Sequence, residues 1–257
     1  MDVFAEKRKL LIAGIDDATK CPCIGSIFIA GVVADEKTIK KWASLGVTDS
    51  KKLTRAKREE LTKVIEKTAL AFSVQEITPA MIDDKSVNLN TMEMIVFLSI
   101  MDELQKRSSI DYAYVDNWEV NPILFWERLH TVLQHDLMRY VGKSLIAEHM
   151  LKTTLIPEHQ ADEKYVVVGA ASILAKTYSD FQYDQYKITY GDFGSGSPGD
   201  PATRRYVWQH RENPTPIIRK SWSTYKVLSQ LESIEQDPLY LKKNRMKNND
   251  ENNNEML

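Results

Sequence analysis

Two predicted strands that end in aspartate are the feature that most constrains the fold of this chain of 257 residues. The apolar run Leu10–Ile15 is followed by Asp16 and Asp17, and the β-rich segment Ile110–Val115 is followed by Asp116. Short apolar runs bounded by turn-forming residues are typical of strands buried in a sheet. Segments with helical character separate these runs, so the chain is predicted to fold as an α/β protein.

Composition narrows the class of protein further. The net charge of −2 excludes a protein that is basic overall, so any nucleic-acid binding must come from a local patch. Cys21 and Cys23 are too few for a disulfide framework and indicate a reducing compartment, which is the cytoplasm, or the nucleus in a eukaryote. No apolar stretch reaches about 18 residues, so no membrane partner is expected.

Four aspartates are candidate metal ligands: Asp16, Asp17, Asp116 and Asp162. The carboxyl ends of strands open onto the ligand crevice in many α/β sheets, and hard cations such as Mg²⁺ and Mn²⁺ prefer oxygen ligands. Adjacent residues of an extended strand point to opposite faces, so Asp16 and Asp17 share one tight site only if the strand turns there. Spacing alone favours the simpler interpretation that these residues form turns or cap helices.

The residues around the aspartates change that interpretation, because they carry motifs in a fixed order between about residues 10 and 228. These motifs are Gly14–Ala18 with Pro22–Gly25, Thr48–Leu53, Asn88–Asn90, Tyr114–Asp116, Glu158–Asp162 with Ala170–Lys176, Gly194–Pro201 and Arg219–Trp222. The set resembles the motifs of the ribonuclease HII (type 2 ribonuclease H) family, and its C-terminal members resemble the archaeal and eukaryotic branch.

The resemblance implies a ribonuclease H-like α/β fold, with a five-stranded mixed sheet flanked by helices and a helical C-terminal extension. We expect a catalytic domain over residues 1–190 and a helical substrate-binding region over residues 191–236. The chain is rich in Asn, Lys and Glu from about Lys242, and residues 237–257 are predicted to form a disordered tail.

The resemblance also implies an endonuclease that hydrolyses the RNA strand of RNA–DNA hybrids and leaves 3′-hydroxyl and 5′-phosphate ends. Asp16, Asp17, Asp116 and Asp162 would be its catalytic residues and would bind two Mg²⁺ or Mn²⁺ ions. Substrate contacts are expected from the remaining motif residues, which are Thr19, Lys20, Cys21, Asp49, Ser50, Lys51, Lys52, Ser172, Lys176, Ser197, Arg219 and Lys220.

Alternatives remain open for several of these residues. The cationic members could simply solvate the surface, although phosphate contacts are favoured for Lys51 and Lys52. The expected partner is the hybrid duplex, bound by a monomer, with the need for accessory subunits left open. His159 and Asp180 are expected to have mainly structural roles.

Three departures from the family pattern bear on activity. Asp17 replaces a glutamate, Thr19-Lys20-Cys21 replaces a Gly-Arg-Gly turn, and Ser197 replaces a tyrosine that packs on the sugar at the RNA-to-DNA junction. Glycine permits positive φ and close approach of the backbone, both of which Thr and Cys are expected to obstruct. The prediction is therefore a nuclease with weakened specificity for single ribonucleotides. The alternative is a degenerate homologue that binds hybrids without cutting them.

Overall fold

A computed structural model describes residues 8–135, 137 and 152–242, and it contains one five-stranded sheet in the order β3-β2-β1-β4-β5. The strands are β1 Leu11–Ala18, β2 Ile27–Asp35, β3 Ala71–Ile77, β4 Tyr112–Asp116 and β5 Thr154–Glu158. Strand β1 pairs antiparallel with β2 and parallel with β4, which pairs parallel with β5. The predicted five-stranded mixed sheet is confirmed.

Helices fill most of the chain between and after the strands. They are α1 Glu36–Ser44, α2 Arg55–Thr68, α3 Pro79–Asp83, α4 Leu89–Gln105, α5 Pro122–Gln134, α6 Ala161–Lys164, α7 Val166–Tyr190, α8 Pro201–Gln209 and α9 Ser223–Leu228, with 3₁₀ turns at Ser50–Lys52 and Ile234–Gln236. Several of these helices begin after a residue whose side-chain oxygen accepts a hydrogen bond from an amide of the first turn. For example, Thr54 accepts a hydrogen bond from the Lys57 amide at 3.3 Å, as expected for an N-cap.

The chain divides into two compact units. The first contains residues 1–18, 28–77 and 87–179, and the second contains residues 19–27, 78–86 and 180–257. This division differs from the linear boundary predicted at residue 190, because two N-terminal segments pack with C-terminal residues. The second unit has an apolar core of its own, built from Cys23, Ile24, Phe193, Tyr206, Val207, Ile217, Ile218, Leu228, Ile234 and Tyr240.

The C-terminal tail begins later than the sequence indicates. Asp237 and Tyr240 are 2% and 4% exposed, so both pack within the second unit. Asp237 forms an ion pair with Arg204, and this pairing allows both charged side chains to be buried. The sequence composition of the segment does not indicate such a pair. The disorder predicted from residue 237 is therefore wrong for residues 237–240, and residues 243–257 lie outside the described residues.

In the first unit, helix α7 packs directly against strand β1. A Cβ atom on Gly14 would lie 2.3 Å from the carbonyl carbon and oxygen of Val167, so only glycine fits at this position. This close approach sets the amino-terminal part of α7 against the strand that contains Asp16 and Asp17.

Among the described residues, no helix is both long enough and apolar enough to cross a membrane.

Candidate active site

Three parallel strands of the first unit end at the same edge of the sheet. Ile15 of β1 lies opposite Val115 of β4, which brings the next residues, Asp16 and Asp116, to neighbouring positions. Asp116 in turn lies opposite Glu158, the last residue of β5. The sheet register therefore places two of the four predicted aspartates side by side.

Asp162 is brought to this edge by a tight turn after β5. Gln160 adopts the left-handed conformation with φ 57°, and helix α6 starts at the next residue. The Ala161 amide donates a hydrogen bond of 2.9 Å to Oδ1 of Asp116, which ties the start of α6 to the end of β4. As a result Asp162, which is 6% exposed, lies with Asp16 and Asp116 in one group of carboxylates, called the acidic cluster below.

The carboxylates of the acidic cluster affect one another's pKa values. Burial raises the pKa of Asp16 well above its ordinary value, and the negative charges of Asp17 and Asp116 raise it further, while a hydrogen bond with Ser172 opposes them. Burial, with the charges of Asp116 and Asp49, raises the pKa of Asp162 to about 6. These shifts indicate a concentration of negative charge that a cation would relieve.

Lys51 supplies positive charge beside this cluster. Burial lowers the pKa of its ammonium, but the nearby carboxylates of Asp49, Asp162, Asp16 and Asp116 outweigh that effect and leave the pKa raised. One ammonium beside several carboxylates leaves the cluster negative.

The donor chemistry fits divalent cations, because buried carboxylate oxygens at one sheet edge are the ligands that Mg²⁺ and Mn²⁺ prefer. Asp16, Asp116 and Asp162 are the residues that would hold such ions. Within the described part of the chain, however, no three His, Cys, Asp or Glu side chains already form an arrangement that coordinates a metal. The carboxylates are gathered in one region without being assembled as a coordination shell.

Asp17 occupies a different environment from Asp16. Strand β1 continues through Ala18, with Asp16 opposite Ala30 and Asp17 opposite Ile29, so the chain does not turn between the two aspartates. Their side chains consequently alternate across the strand. Asp16 is buried and Asp17 is half-buried. The Asp17 amide donates to Oδ1 of Asp16 at 2.7 Å, and the assignment of Asp17 as a metal ligand stays a prediction.

Three of the predicted substrate contacts in the first unit are buried. Asp49, Ser50 and Ser172 are 5%, 4% and 2% exposed. Asp49 accepts a hydrogen bond of 2.9 Å from the Lys51 amide, and the hydroxyl oxygens of Ser50 and Ser172 lie 2.9 Å apart. Since Ser172 also bonds to Asp16, these residues shape the loop and position a carboxylate, and the direct substrate contacts stay predictions.

The lysines of the first unit are more accessible. Lys51 and Lys52 are exposed, and Lys52 forms an ion pair of 3.0 Å with Glu163, which is itself exposed. Lys176, on α7, is half-buried. These placements leave the phosphate contacts predicted for the three lysines open.

In the second unit, the Thr19-Lys20-Cys21 turn adopts a conformation that was not expected of its residues. Thr19 has φ 68°, in the left-handed region that favours glycine. Its hydroxyl donates a hydrogen bond of 2.7 Å to the Ser26 carbonyl. The expectation that threonine would prevent positive φ here is therefore wrong, because this hydrogen bond offsets part of the conformational cost.

Arg219 holds the same turn from within the second unit. It is 0% exposed, and its guanidinium donates to the carbonyls of Gly25, Lys20 and Thr19 at 2.7–2.8 Å. Burial lowers the pKa of Arg219 to about 10. Because Arg219 is buried and donates to three backbone carbonyls, the structure gives it a role in holding the turn, and the direct substrate contact stays a prediction.

Other recognition candidates of the second unit lie at its surface. Ser197 and Cys21 are exposed, Lys20 is half-buried, and the exposed Lys220 is anchored by its amide to Asp83 at 2.9 Å. The loop that carries Ser197 is fixed by hydrogen bonds from the Gly196 amide to Thr203 and from the Ser195 amide to Asp200. The exposed serine hydroxyl is thus presented on a constrained loop.

Several supporting residues could not be found from the sequence. Arg204 and Asp237 form a buried ion pair across 33 positions of sequence, and Arg204 also donates to the Pro198 carbonyl beside Ser197. Asp83 accepts the amides of Lys220 and Ser221. None of these three residues, Arg204, Asp237 and Asp83, lies in a motif or a hydrophobic period. His159, by contrast, agrees with the structural role expected of it, since its Nδ1 lies 3.1 Å from the Asn117 carbonyl.

The fold is shared with solved nucleases. The crystal structure of ribonuclease H2 from Pyrococcus horikoshii OT3 is 32% identical, matches with a TM-score of 0.70, and covers 86% of this chain and 98% of that one. The ribonuclease HII of Archaeoglobus fulgidus, in a complex with PCNA, is 30% identical with a TM-score of 0.68, covering 88% and 100%. The fold and the acidic cluster at the edge of the sheet together define a nuclease of the ribonuclease H class.

The family can be stated more closely. Residues 13–225 match the family model described as "Ribonuclease HII". The ribonuclease HII of Thermococcus sibiricus is 37% identical over 223 residues, which cover 85% of this chain and 91% of that protein. The chain therefore belongs to the ribonuclease HII family and is a ribonuclease H. These relatives give no support to the alternative of a homologue that binds without cutting.

Proposed function

We propose that this protein hydrolyses the RNA strand of RNA–DNA hybrids at the acidic edge of its sheet, with two divalent metal ions. The observation that carries the proposal is the convergence of Asp16, Asp116 and Asp162 at one edge of the sheet, where burial raises the pKa of all three and nearby carboxylates raise those of Asp16 and Asp162 further. Asp17 is the fourth proposed ligand, and its shorter side chain replaces the glutamate of the family motif.

The chemistry follows from this charge distribution. Divalent ions, when bound, supply an activated water and stabilise the leaving oxygen of a phosphodiester. The oxygen of that water forms a bond to phosphorus as the bond from phosphorus to the 3′-oxygen breaks, which leaves a 3′-hydroxyl and a 5′-phosphate. The chain's own residues orient the ligands: Ser172 holds Asp16, and the Ala161 amide holds Asp116.

Phosphate binding is assigned to the accessible cations. Lys51 stands beside the acidic cluster, and Lys52, Lys176 and Lys220 are the other proposed contacts. Contacts of this kind give affinity and salt dependence without reading sequence.

Substrate preference is proposed to follow from the second unit. The backbone at Thr19 keeps a glycine-like conformation, so loss of recognition at that position is smaller than the residue type implies. Ser197 is exposed and has no ring to pack on a sugar. Loss of a stacking ring costs about 1–3 kcal/mol, or roughly 5- to 150-fold in discrimination, so we expect continuous hybrid to be cut appreciably better than a duplex with a single ribonucleotide.

The hybrid duplex is the proposed partner of a monomeric enzyme. The Archaeoglobus fulgidus relative was solved as a complex with PCNA, so PCNA from the organism of this chain is the first accessory protein to test, by co-elution in size-exclusion chromatography.

The proposed activity is tested by incubating the purified protein with a long hybrid and with a duplex that carries one ribonucleotide, each with Mg²⁺ and with Mn²⁺. We expect metal-dependent cleavage of both, faster on the hybrid, with products that a 5′-phosphate-dependent ligase can rejoin. Ser197→Tyr should raise cleavage of the single-ribonucleotide duplex more than cleavage of the hybrid. A wild-type preference for the single ribonucleotide would contradict the account of substrate choice, and absence of cleavage would contradict the proposal itself.

A further inference from the structure

Arg219 is a buried cation with no carboxylate at ion-pair distance among the described residues, although the charge of Asp83 acts on it from further away. Its guanidinium donates Nε to the Gly25 carbonyl, Nη1 to the Lys20 carbonyl and Nη2 to the Thr19 carbonyl. It forms no ion pair with any residue in the described ranges. The ring of Trp222 lies 5.0 Å from the guanidinium carbon, and the indole N–H donates to the Cys21 carbonyl at 3.4 Å.

This arrangement is costly if it serves stability alone. Removing a guanidinium from water without an anionic partner carries a large desolvation penalty, which carbonyl oxygens offset only in part. The same unit contains a contrasting case, because the buried Arg204 is paired with Asp237. A planar fork that reaches two successive carbonyls of one turn instead fixes the orientation of that turn's peptides.

The orientation has a consequence for the outer face of the turn. In a trans peptide the C=O and the N–H point in opposite directions, and no described peptide bond is cis. Because the carbonyls of Thr19 and Lys20 point to Arg219, the amides of Lys20 and Cys21 point away from it. Rotation of either peptide would exchange a donor for an acceptor on that outer face.

We propose that Arg219 is a positioning residue that determines discrimination between ribose and deoxyribose, by holding the peptides of residues 19–21 in one orientation. This inference rests on the proposed function, in which that turn meets the ribonucleotide of the substrate. Arg219 does not touch the nucleic acid; it selects which backbone groups do.

The test compares binding to an RNA–DNA hybrid and to an all-DNA duplex of the same sequence, measured by fluorescence anisotropy in EDTA so that no cleavage occurs. Arg219→Gln removes the charge and the fork, and Arg219→Lys keeps the charge without the fork. Asp237→Asn is the matched control, because it damages a buried arginine contact in the same unit and leaves the turn's hydrogen bonds in place. Circular dichroism sets a temperature at which all four proteins are folded.

We expect wild-type protein and Asp237→Asn to share one preference for hybrid over DNA, and both Arg219 variants to lose about tenfold of that preference, the effect of one hydrogen bond. If Arg219→Gln does not fold, Arg219→Lys still decides the question. A preference that survives in the Arg219 variants would overturn this inference alone. A wild-type protein with no preference for hybrid would overturn the proposed recognition and the inference with it.

Discussion

At residue 19 the backbone has a conformation that threonine rarely adopts. The left-handed region costs an L-residue about 1–2 kcal/mol, and the hydrogen bond from the Thr19 hydroxyl to the Ser26 carbonyl returns roughly 0.5–1.5 kcal/mol. Ser26 is fully buried, so its carbonyl has few alternative partners. A polar β-branched residue can thus stand where the family motif has glycine.

This balance between strain and hydrogen bonding predicts that two substitutions of Thr19 change the free energy of unfolding by different amounts. Thr19→Val keeps the branched shape and the strain but loses the hydroxyl, so the free energy of unfolding should fall by about 1–3 kcal/mol. Thr19→Gly loses the same bond but relieves the strain, so it should stay within about 1 kcal/mol of the wild type. Urea denaturation measures both. Equal destabilisation by the two substitutions would show that the backbone at residue 19 is not strained.

Among the elements, helix α7 depends on the absence of one side chain. Gly14 lies against the carbonyl group of Val167, and six residues after Val166 the same helix places Ser172 beside Asp16. The contact therefore links the packing of a helix to the position of a carboxylate.

Gly14→Ala should accordingly reduce both stability and cleavage. The added Cβ meets backbone atoms that cannot rotate away, so the free energy of unfolding should fall by about 3 kcal/mol or more. Gly46→Ala is the matched control: Gly46 has φ 87°, and a Cβ there would meet nothing within 4 Å, so it should cost about 1 kcal/mol and leave cleavage unchanged. If the two substitutions reduced stability and cleavage by similar amounts, then α7 would be able to move away from β1 without affecting either property.

The loop that carries Lys51 and Lys52 makes a separate prediction. Lys51→Ala with Lys52→Ala should flatten the dependence of hybrid affinity on salt by roughly one to two phosphate contacts. Lys40→Ala with Lys41→Ala, an adjacent pair exposed on α1, should leave the slope unchanged. Anisotropy titrations at several salt concentrations supply the slopes. If both pairs behave alike, the lysines of the loop face solvent in the complex.

Some elements could be predicted from local pattern. Strand β1 carries a continuous apolar run because most of it is buried in the sheet, and β1 and β4 both place an aspartate at the same edge. Thr54 indicates the start of α2, because its hydroxyl can cap the helix. The apolar spacing in the sequence of α4 indicates one buried face, yet every residue from Thr91 to Asp102 is buried, polar ones included. Periodicity reports one apolar face and cannot show that the opposite face is also covered.

The supporting shell could not be predicted, because it depends on contacts that are distant in sequence. Arg219 reaches carbonyls 194–200 positions earlier in the chain, and its type and spacing resemble those of a phosphate-binding arginine. Ser50 and Ser172, which were predicted to contact substrate, are likewise brought together across 122 positions. Motifs identified which residues belong to the site, whereas only packing distinguished those that face solvent from those that hold other residues in place.

At the scale of the whole molecule, the acidic cluster couples folding, pH and metal. The pKa of Asp162 is about 6 in the folded chain, against an ordinary value of 3.8, so its contribution to stability is fully present below about pH 4 and is lost as the pH rises through about 6. The burial and like charges around Asp16 act in the same direction. A divalent ion needs the ionised carboxylates, so it should restore stability in the pH range in which the metal-free protein loses it.

Saturating Mg²⁺ should therefore raise the Tm more at about pH 7.5 than at about pH 5. Differential scanning fluorimetry with and without the ion measures the difference, and Asp162→Asn should make that difference smaller. A stabilisation by Mg²⁺ that does not vary with pH would contradict binding at this cluster.

The central claim is that the acidic edge of the sheet cuts the hybrid, and one comparison on strand β4 tests it most directly. Asp116 ends this strand within the cluster, whereas Asp111 precedes its other end and bonds to Arg8 and to the Leu11 amide. At saturating Mg²⁺ or Mn²⁺, Asp116→Asn should lower cleavage of a labelled hybrid by roughly 100-fold or more and leave hybrid binding intact. Asp111→Asn should cut at close to the wild-type rate. Wild-type cleavage by Asp116→Asn would contradict the assignment of this edge as the active site.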